Sequence, residues 1–81
     1  MENPTEFRTM FVTESHANCV REIVELTHPN YVYSIYPETD GWTLLIIHSH
    51  KTNKLIRELV GIASEIFFQN MLSYIQETSN K

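Results

Sequence analysis

The segment 43–50 constrains the fold most, because it is apolar at both alternating positions and ends in two histidines. Successive side chains of a β-strand point to opposite faces of the sheet. One face of this strand would carry Trp42, Leu44 and Ile46, and the other would carry Leu45 and Ile47. A strand with large apolar side chains on both faces needs cover on both sides. The sequence therefore predicts that residues 44–47 are all largely buried in the assembled protein.

The length and composition indicate one small folded domain. A core built from 81 residues is marginal unless a metal, a disulfide or an oligomer supports it. The composition, 42% hydrophobic and 11% aromatic, is that of a folded protein. Ten acidic and six basic side chains give a net charge of −4, which repels phosphate backbones and argues against nucleic-acid binding.

The sequence predicts a cytoplasmic protein without a membrane partner. No apolar run approaches the roughly 20 residues that a membrane-spanning helix needs. The first four residues are acidic and lack the features of a signal peptide. The single cysteine, Cys19, excludes an internal disulfide framework and fits a reducing compartment.

Periodicity and turn residues divide the chain into five elements after a loose leader of residues 1–5, within a single domain of residues 6–81. Ser15 is the predicted cap of the first helix, and Thr52 or Asn53 that of the second. Proline and the Asp-Gly pair mark a hairpin turn at 37–41. The predicted elements are a strand at 6–13, a helix ending near Thr27, strands at 30–36 and 41–49, and a helix reaching about Glu77.

The order β-α-β-β-α predicts a compact α+β domain. It resembles the ferredoxin-like, split β-α-β topology without its fourth strand, and the resemblance is one of topology only. The resemblance implies that the first and third strands are neighbours, which we expect to run parallel, with the second strand outside. The first strand would then be an unpaired edge of the sheet.

The long final helix carries two apolar stripes that lie on different sides of a helical wheel. A straight helix packed on one sheet cannot bury both stripes. Either the distal half packs on another subunit, or the helix breaks at Gly61 and folds back. The sequence favours the first alternative and predicts a homo-oligomer, most simply a dimer. The first stripe is Leu55, Leu59, Ile62 and Ile66, and the predicted oligomer interface is Phe67, Phe68, Met71, Leu72 and Ile75.

A metal site is one reading of the histidines. If the first and third strands were parallel, their ends would meet at one end of the sheet. That arrangement would bring together His16, Cys19, His48 and His50. Imidazole and thiolate ligands suit zinc. The alternative is that Cys19 and His48 are simply core residues.

An anion site is the second reading of the same corner. Half of the six basic side chains lie at the start of the final helix, where free amides and the helix dipole favour an anion. Histidines nearby would add positive charge below about pH 6.5. The predicted anion ligands are His48, His50, Lys51 and Lys54. The alternative is that both lysines are only solvated.

The sequence carries no pattern typical of an enzyme. A glycine-rich phosphate loop and a nucleophile elbow are both missing from a chain with two glycines. The leading hypothesis is a small, non-enzymatic homodimeric interaction or regulatory module that binds another protein or a small effector. The alternative is a metal- or anion-binding sensor that uses the corner formed by His16, His48, His50 and Lys54.

Overall fold

A computed structural model describes residues 4–79 of the chain and the side chains of residues 4–73. Three strands and two helices follow one another in the predicted order β-α-β-β-α, which confirms the α+β class. The elements are β1 (Thr5–Phe11), α1 (Glu14–Thr27), β2 (Val32–Glu38), β3 (Gly41–His48) and α2 (Lys54–Ser79).

The sheet has the strand order β1-β3-β2, and β3 is antiparallel to both of its neighbours. The predicted adjacency of β1 and β3 is confirmed, but their predicted parallel direction is wrong. A helical crossover from β1 to β2 makes those two strands parallel, and the hairpin makes β2 and β3 antiparallel. The strand between them must therefore run against both. The carboxyl ends of β1 and β3 consequently lie at opposite ends of the sheet.

The helices cover one face of this sheet. Residues directly opposite each other in an antiparallel pair share a face, and Ile46 lies opposite Phe7 on one side and Tyr33 on the other. Leu44 and Ile46 are fully buried on this face, as the alternation predicts. The buried hydrophobic core is Phe7, Phe11, Ala17, Val20, Val24, Leu44, Ile46, Ile56, Val60 and Ala63.

The second face of the sheet remains open in the single chain. Leu45 and Ile47 lie on it and are only half-buried. Their cross-strand neighbours include Val32, which is more than half exposed and pairs with Ile47. The sequence predicts that both faces are buried in the assembled protein, whereas one chain encloses only the face that carries Leu44 and Ile46.

Helix α1 begins one residue earlier than its predicted cap. Thr13, in an extended conformation, is the N-cap, and its hydroxyl accepts a hydrogen bond from the His16 amide at 3.2 Å. Ser15 therefore lies inside the first turn, and its predicted role as cap is wrong. The buried side of the helix, formed by Ala17, Val20 and Val24, packs on the sheet.

Helix α2 is continuous from Lys54 to Ser79, so a break at Gly61 is excluded. Its 26 residues span about 39 Å, which makes the molecule elongated, at 57 × 29 × 18 Å. The core of the domain buries Ile56, Val60 and Ala63 of this helix. These residues lie between the two predicted stripes on the helical wheel, so both stripes lie largely outside the core. No helix within residues 4–79 combines the length and apolarity needed to cross a bilayer.

The two glycines predict opposite effects of substitution by alanine. A Cβ at Gly61 meets no atom within 4 Å, and alanine favours a helix by about 1 kcal/mol over glycine, so Gly61→Ala should stabilise the protein. A Cβ at Gly41 would collide with the carbonyl oxygen of Phe11, so Gly41→Ala should destabilise it by about 1–3 kcal/mol. Urea denaturation measures both free energies of unfolding. A destabilising Gly61→Ala would contradict a continuous, exposed helix at this position.

Candidate functional site

The far end of α2 carries an exposed apolar surface, which we call the distal surface and define as Phe68, Met71 and Leu72. Their exposed fractions are 53%, 47% and 57%. The half-buried Phe67 connects this surface to the domain, and its ring stacks on that of Phe68 at a centroid distance of 5.6 Å. Four of the five predicted interface residues therefore lie together. The side chain of the fifth, Ile75, lies outside the described residues.

A groove of about 480 Å³ separates the distal surface from the start of α1. The His16 ring is part of its lining, and the centroid of this ring lies 4.4 Å from that of Phe11 and 4.5 Å from that of Phe67. The groove is lined by Val12, Thr13, Ser15, His16, Phe67, Phe68 and Met71. Sequence patterns did not predict that Val12 and Thr13 line this groove, because their nearness to α2 depends on long-range packing.

His16 is tied to the distal half of α2 and not to the other histidines. Its Nε2 lies 3.1 Å from the Ser64 hydroxyl, and its ring packs edge-on against Phe67 and Phe68. Burial lowers the pKa of His16 below 6.5, because the charged imidazolium is less well solvated there. The neutral ring is therefore the form that the fold favours.

This shift predicts a stability that falls in acid. A histidine whose pKa is lower in the folded state than in the unfolded state stabilises the fold at pH values above its pKa in the unfolded state. This contribution is lost as the pH falls below about 6.5 and through the pKa of the folded state. Urea unfolding between pH 7.5 and pH 5 should show this loss. His16→Gln keeps a hydrogen-bonding group towards Ser64 without titrating, so its curve should be flatter. Identical pH profiles for both proteins would contradict the assignment.

Four aromatic rings gather at the opposite end of the sheet, and we call them the His–Tyr cluster: His28, Tyr31, His48 and His50. Tyr31 is central, because it stacks on His28 at 4.9 Å and its hydroxyl lies 2.5 Å from Nε2 of His50. The His48 and His50 rings are 5.4 Å apart. The sequence predicted the neighbouring pair of histidines but not the tyrosine and His28, which come from the chain between α1 and β2.

Hydrogen bonds occupy both ring nitrogens of His48, which is 4% exposed. Nδ1 accepts from the backbone N–H of His50 at 3.2 Å, and Nε2 lies 2.8 Å from the Asn53 amide oxygen. The Asn53 amide nitrogen donates to the Glu6 carbonyl, so its oxygen must face the ring. Nε2 of His48 is therefore the protonated nitrogen, and the ring acts as a bridge between β3, β1 and the start of α2.

The structure divides the predicted metal ligands into two groups. His16 and Cys19 follow the carboxyl end of β1, whereas His48 and His50 end β3 at the other end of the sheet, where Thr5 is the partner of His48. Within the described residues no three histidine, cysteine or acidic side chains are placed to hold a metal ion. Burial and the nearby Glu22 also raise the pKa of the Cys19 thiol, which disfavours the thiolate that a metal needs.

The four predicted anion ligands remain neighbours. Lys51 and Lys54 are exposed, and His48 and His50 lie beside them. The N-terminus of α2 is partly satisfied by its own loop, because the Thr52 hydroxyl accepts from the Lys54 amide at 3.4 Å. The Asn53 side chain, which the sequence offered as a cap, instead joins His48 to Glu6.

The tyrosines of this corner act as hydrogen-bonding groups. The Tyr33 hydroxyl donates to the His28 carbonyl at 2.6 Å. Burial is the main cause that raises the pKa of Tyr33 to about 12, and burial also raises the pKa of Tyr31. Both phenols therefore stay protonated at neutral pH, which fits a structural network.

Comparisons with protein-family models, with curated proteins and with solved structures found no match to this chain.

Proposed function

We propose that this protein is a small, non-enzymatic homodimeric interaction module, and that its distal surface is the contact between two copies. The observation that carries the proposal is the exposure of Phe68, Met71 and Leu72 at the end of a helix that extends past its own core. Contiguous exposed apolar side chains of this kind mark interaction sites in soluble proteins. A two-fold axis would set the same patch of each copy against the other.

The charge distribution supports a second copy as the occupant. The chain carries a net charge of −4, so two copies repel each other at long range. Residues 67–73, however, contain no charged side chain. Two of these segments can therefore approach without placing like charges opposite each other, and burial of their apolar side chains would favour the contact.

The ferredoxin-like assignment is part of the same proposal. The strand order β1-β3-β2 and the helical crossover between β1 and β2 support it. In that arrangement α2 would be the second helix of the motif, and the position beside β1 would be the place of the omitted fourth strand. We also propose that the module works in the cytoplasm, where a free thiol such as Cys19 stays reduced.

The alternative function, a sensor at the corner of His48, His50, Lys51 and Lys54, has weaker support. The ring nitrogens of His48 and the Nε2 of His50 already have hydrogen-bonding partners within the chain. Unless these hydrogen bonds rearrange, the side-chain donors that this corner could offer to an anion are those of the two exposed lysines. The side chains of the distal surface remain about half exposed, even though Phe68 contacts Phe67 and His16, so they keep apolar area for a partner.

Native mass spectrometry of the purified protein at micromolar concentration tests the proposal. We expect the mass of two chains, 19 kDa from two copies of 9.5 kDa, without a bound metal ion. A single-chain mass across the accessible concentration range would overturn the homodimer. A stoichiometric metal ion retained on the protein would instead favour the sensor.

A further inference from the structure

The His16 ring lies where the groove meets the distal surface. It lines the groove, and its centroid is 4.9 Å from that of Phe68, which belongs to the distal surface. Met71, a second residue of the distal surface, lines the same groove. A second copy seated on Phe68 and Met71 would therefore also close the groove beside His16.

The two nitrogens of the His16 ring have different surroundings. Nε2 lies 3.1 Å from the Ser64 hydroxyl, and a hydroxyl can donate or accept, so this contact is compatible with a neutral or a charged ring. Nδ1 has no hydrogen-bonding partner among residues 4–73. No buried side-chain nitrogen in that range lacks a partner, so Nδ1 is open to solvent. In the single chain, water in the groove can therefore solvate an imidazolium at Nδ1.

The elements packed against His16 present apolar rings to it. The ring contacts Phe11 at the end of β1, and Phe67 and Phe68 on α2. Arg8, the charged residue of β1 nearest in sequence to Phe11, lies on the open face of the sheet. Within the described residues, burial and no neighbouring charge lowers the pKa of His16. Closing the groove would remove water as well, so charging the ring would become more costly.

The titratable residues of the two helices nearest in sequence to these contacts are Glu14 and Cys19 on α1 and Glu65 on α2. The Glu14 carboxylate accepts from the Asn18 amide at 3.5 Å, and Glu65 is exposed. Burial is the main cause that raises the pKa of the Cys19 thiol, which favours its uncharged form. None of these three side chains lines the groove, so none is placed to offset a positive charge on His16.

We propose that His16 makes the homodimer sensitive to acid: two copies associate while the ring is neutral, and protonation of the ring separates them. The inference rests on the proposed contact between two distal surfaces. Residues 67–73 of the second copy contain no charged side chain, so that segment would bring no carboxylate to the imidazolium. Each His16 would then release its proton as the groove closes, and by linkage acid would favour the separate chains.

Sedimentation equilibrium of the full chain at pH 7.5 and pH 5.0 tests this proposal. Each dissociating dimer would take up two protons, so the dissociation constant should rise by up to about a hundredfold per pH unit below the pKa of His16 in the separate chain. We expect the dissociation constant to be at least about tenfold higher at pH 5.0 than at pH 7.5. Circular dichroism in the same buffers should show that both helices are retained.

Three variants assign the response to one ring. His16→Gln does not titrate and should lose the response. Acid also reduces the net charge of −4 and the repulsion between copies, so the dimer of this variant should hold or tighten at pH 5.0. His16→Phe is a second non-titrating variant, which keeps an aromatic ring. His28→Gln removes a histidine of the His–Tyr cluster, at the opposite end of the sheet, and should respond like the unmodified protein.

Several outcomes would overturn the role of His16. One is a dissociation constant that is equal at the two pH values. Another is a dimer that tightens in acid, which would mean that a carboxylate such as Glu65 of the second copy faces the imidazolium. An acid response retained by His16→Gln, or helix loss that accompanies dissociation, would also overturn it. If both non-titrating variants failed to dimerise at pH 7.5, the ring would have a structural role instead.

The two proposals fail in different ways. An unmodified protein that is monomeric at pH 7.5 would overturn the homodimer, and the acid response with it. A protein that is dimeric at pH 7.5 but indifferent to acid would keep the homodimer and lose only the role of His16.

Discussion

Replacing Ile46 by alanine is expected to lower the free energy of unfolding by about 2–5 kcal/mol. The Ile46 side chain is fully buried at the centre of the covered face, directly between Phe7 on β1 and Tyr33 on β2. Truncation would remove apolar contacts in both directions and leave a cavity that three strands and two helices cannot easily close. Urea denaturation of the purified variant measures the change.

The adjacent residue on the same strand is the matched control. Ile47 has the same side chain but lies half-buried on the open face, so Ile47→Ala should cost less than about 1.5 kcal/mol. The difference between the two variants measures how unequal the two faces of β3 are. Equal, large losses would mean that a second chain covers the open face in the assembled protein, as the sequence alone suggests.

The pattern of side chains predicts much of this fold. The alternation along β3 identifies which residues share a face, and the structure buries Leu44 and Ile46 together. Proline and glycine mark the hairpin, although its loop is shorter than predicted, since Glu38 already pairs with Gly41. Gly41 is also required by close packing, because a side chain there would collide with the Phe11 carbonyl, and its φ is not positive.

The direction of β1 shows how one wrong step changes a predicted site. The crossover and the hairpin together require β1 and β3 to be antiparallel, so this feature was within reach of the sequence. The parallel assignment placed His16 and Cys19 beside His48, whereas the register sets Thr5 opposite His48 and Phe11 opposite Trp42. The predicted four-residue metal cluster depended entirely on that direction.

Other features could not be read from the sequence, because they depend on long-range packing. The contact of His16 with Ser64 joins residues 48 positions apart, and the Tyr31–His50 hydrogen bond joins two different loops. The helical wheel correctly separated two stripes on α2. It could not show that the core would use Ile56, Val60 and Ala63, between those stripes, and leave Ile62 and Phe68 exposed.

The variant F68D/L72D is expected to dissociate the homodimer. Both side chains are more than half exposed in the single chain, so each can be replaced with little change to the core. In a dimer built on the distal surface the new carboxylates would be buried without partners, which costs several kcal/mol. We expect the dissociation constant of the dimer to rise at least about a hundredfold.

A matched control separates this effect from added charge alone. Q69D/S73D introduces two carboxylates with the same spacing, at exposed positions about 100° round α2 from Phe68 and Leu72. This variant should keep the oligomeric state of the unmodified protein. Circular dichroism of both variants checks that α2 remains helical.

Sedimentation velocity on the three proteins, across the micromolar range, tests the homodimer most directly. We predict a dimer for the unmodified chain and for Q69D/S73D, and a monomer of 9.5 kDa for F68D/L72D. An unmodified chain that sediments as a monomer throughout, or an F68D/L72D variant that remains dimeric, would contradict self-association through the distal surface.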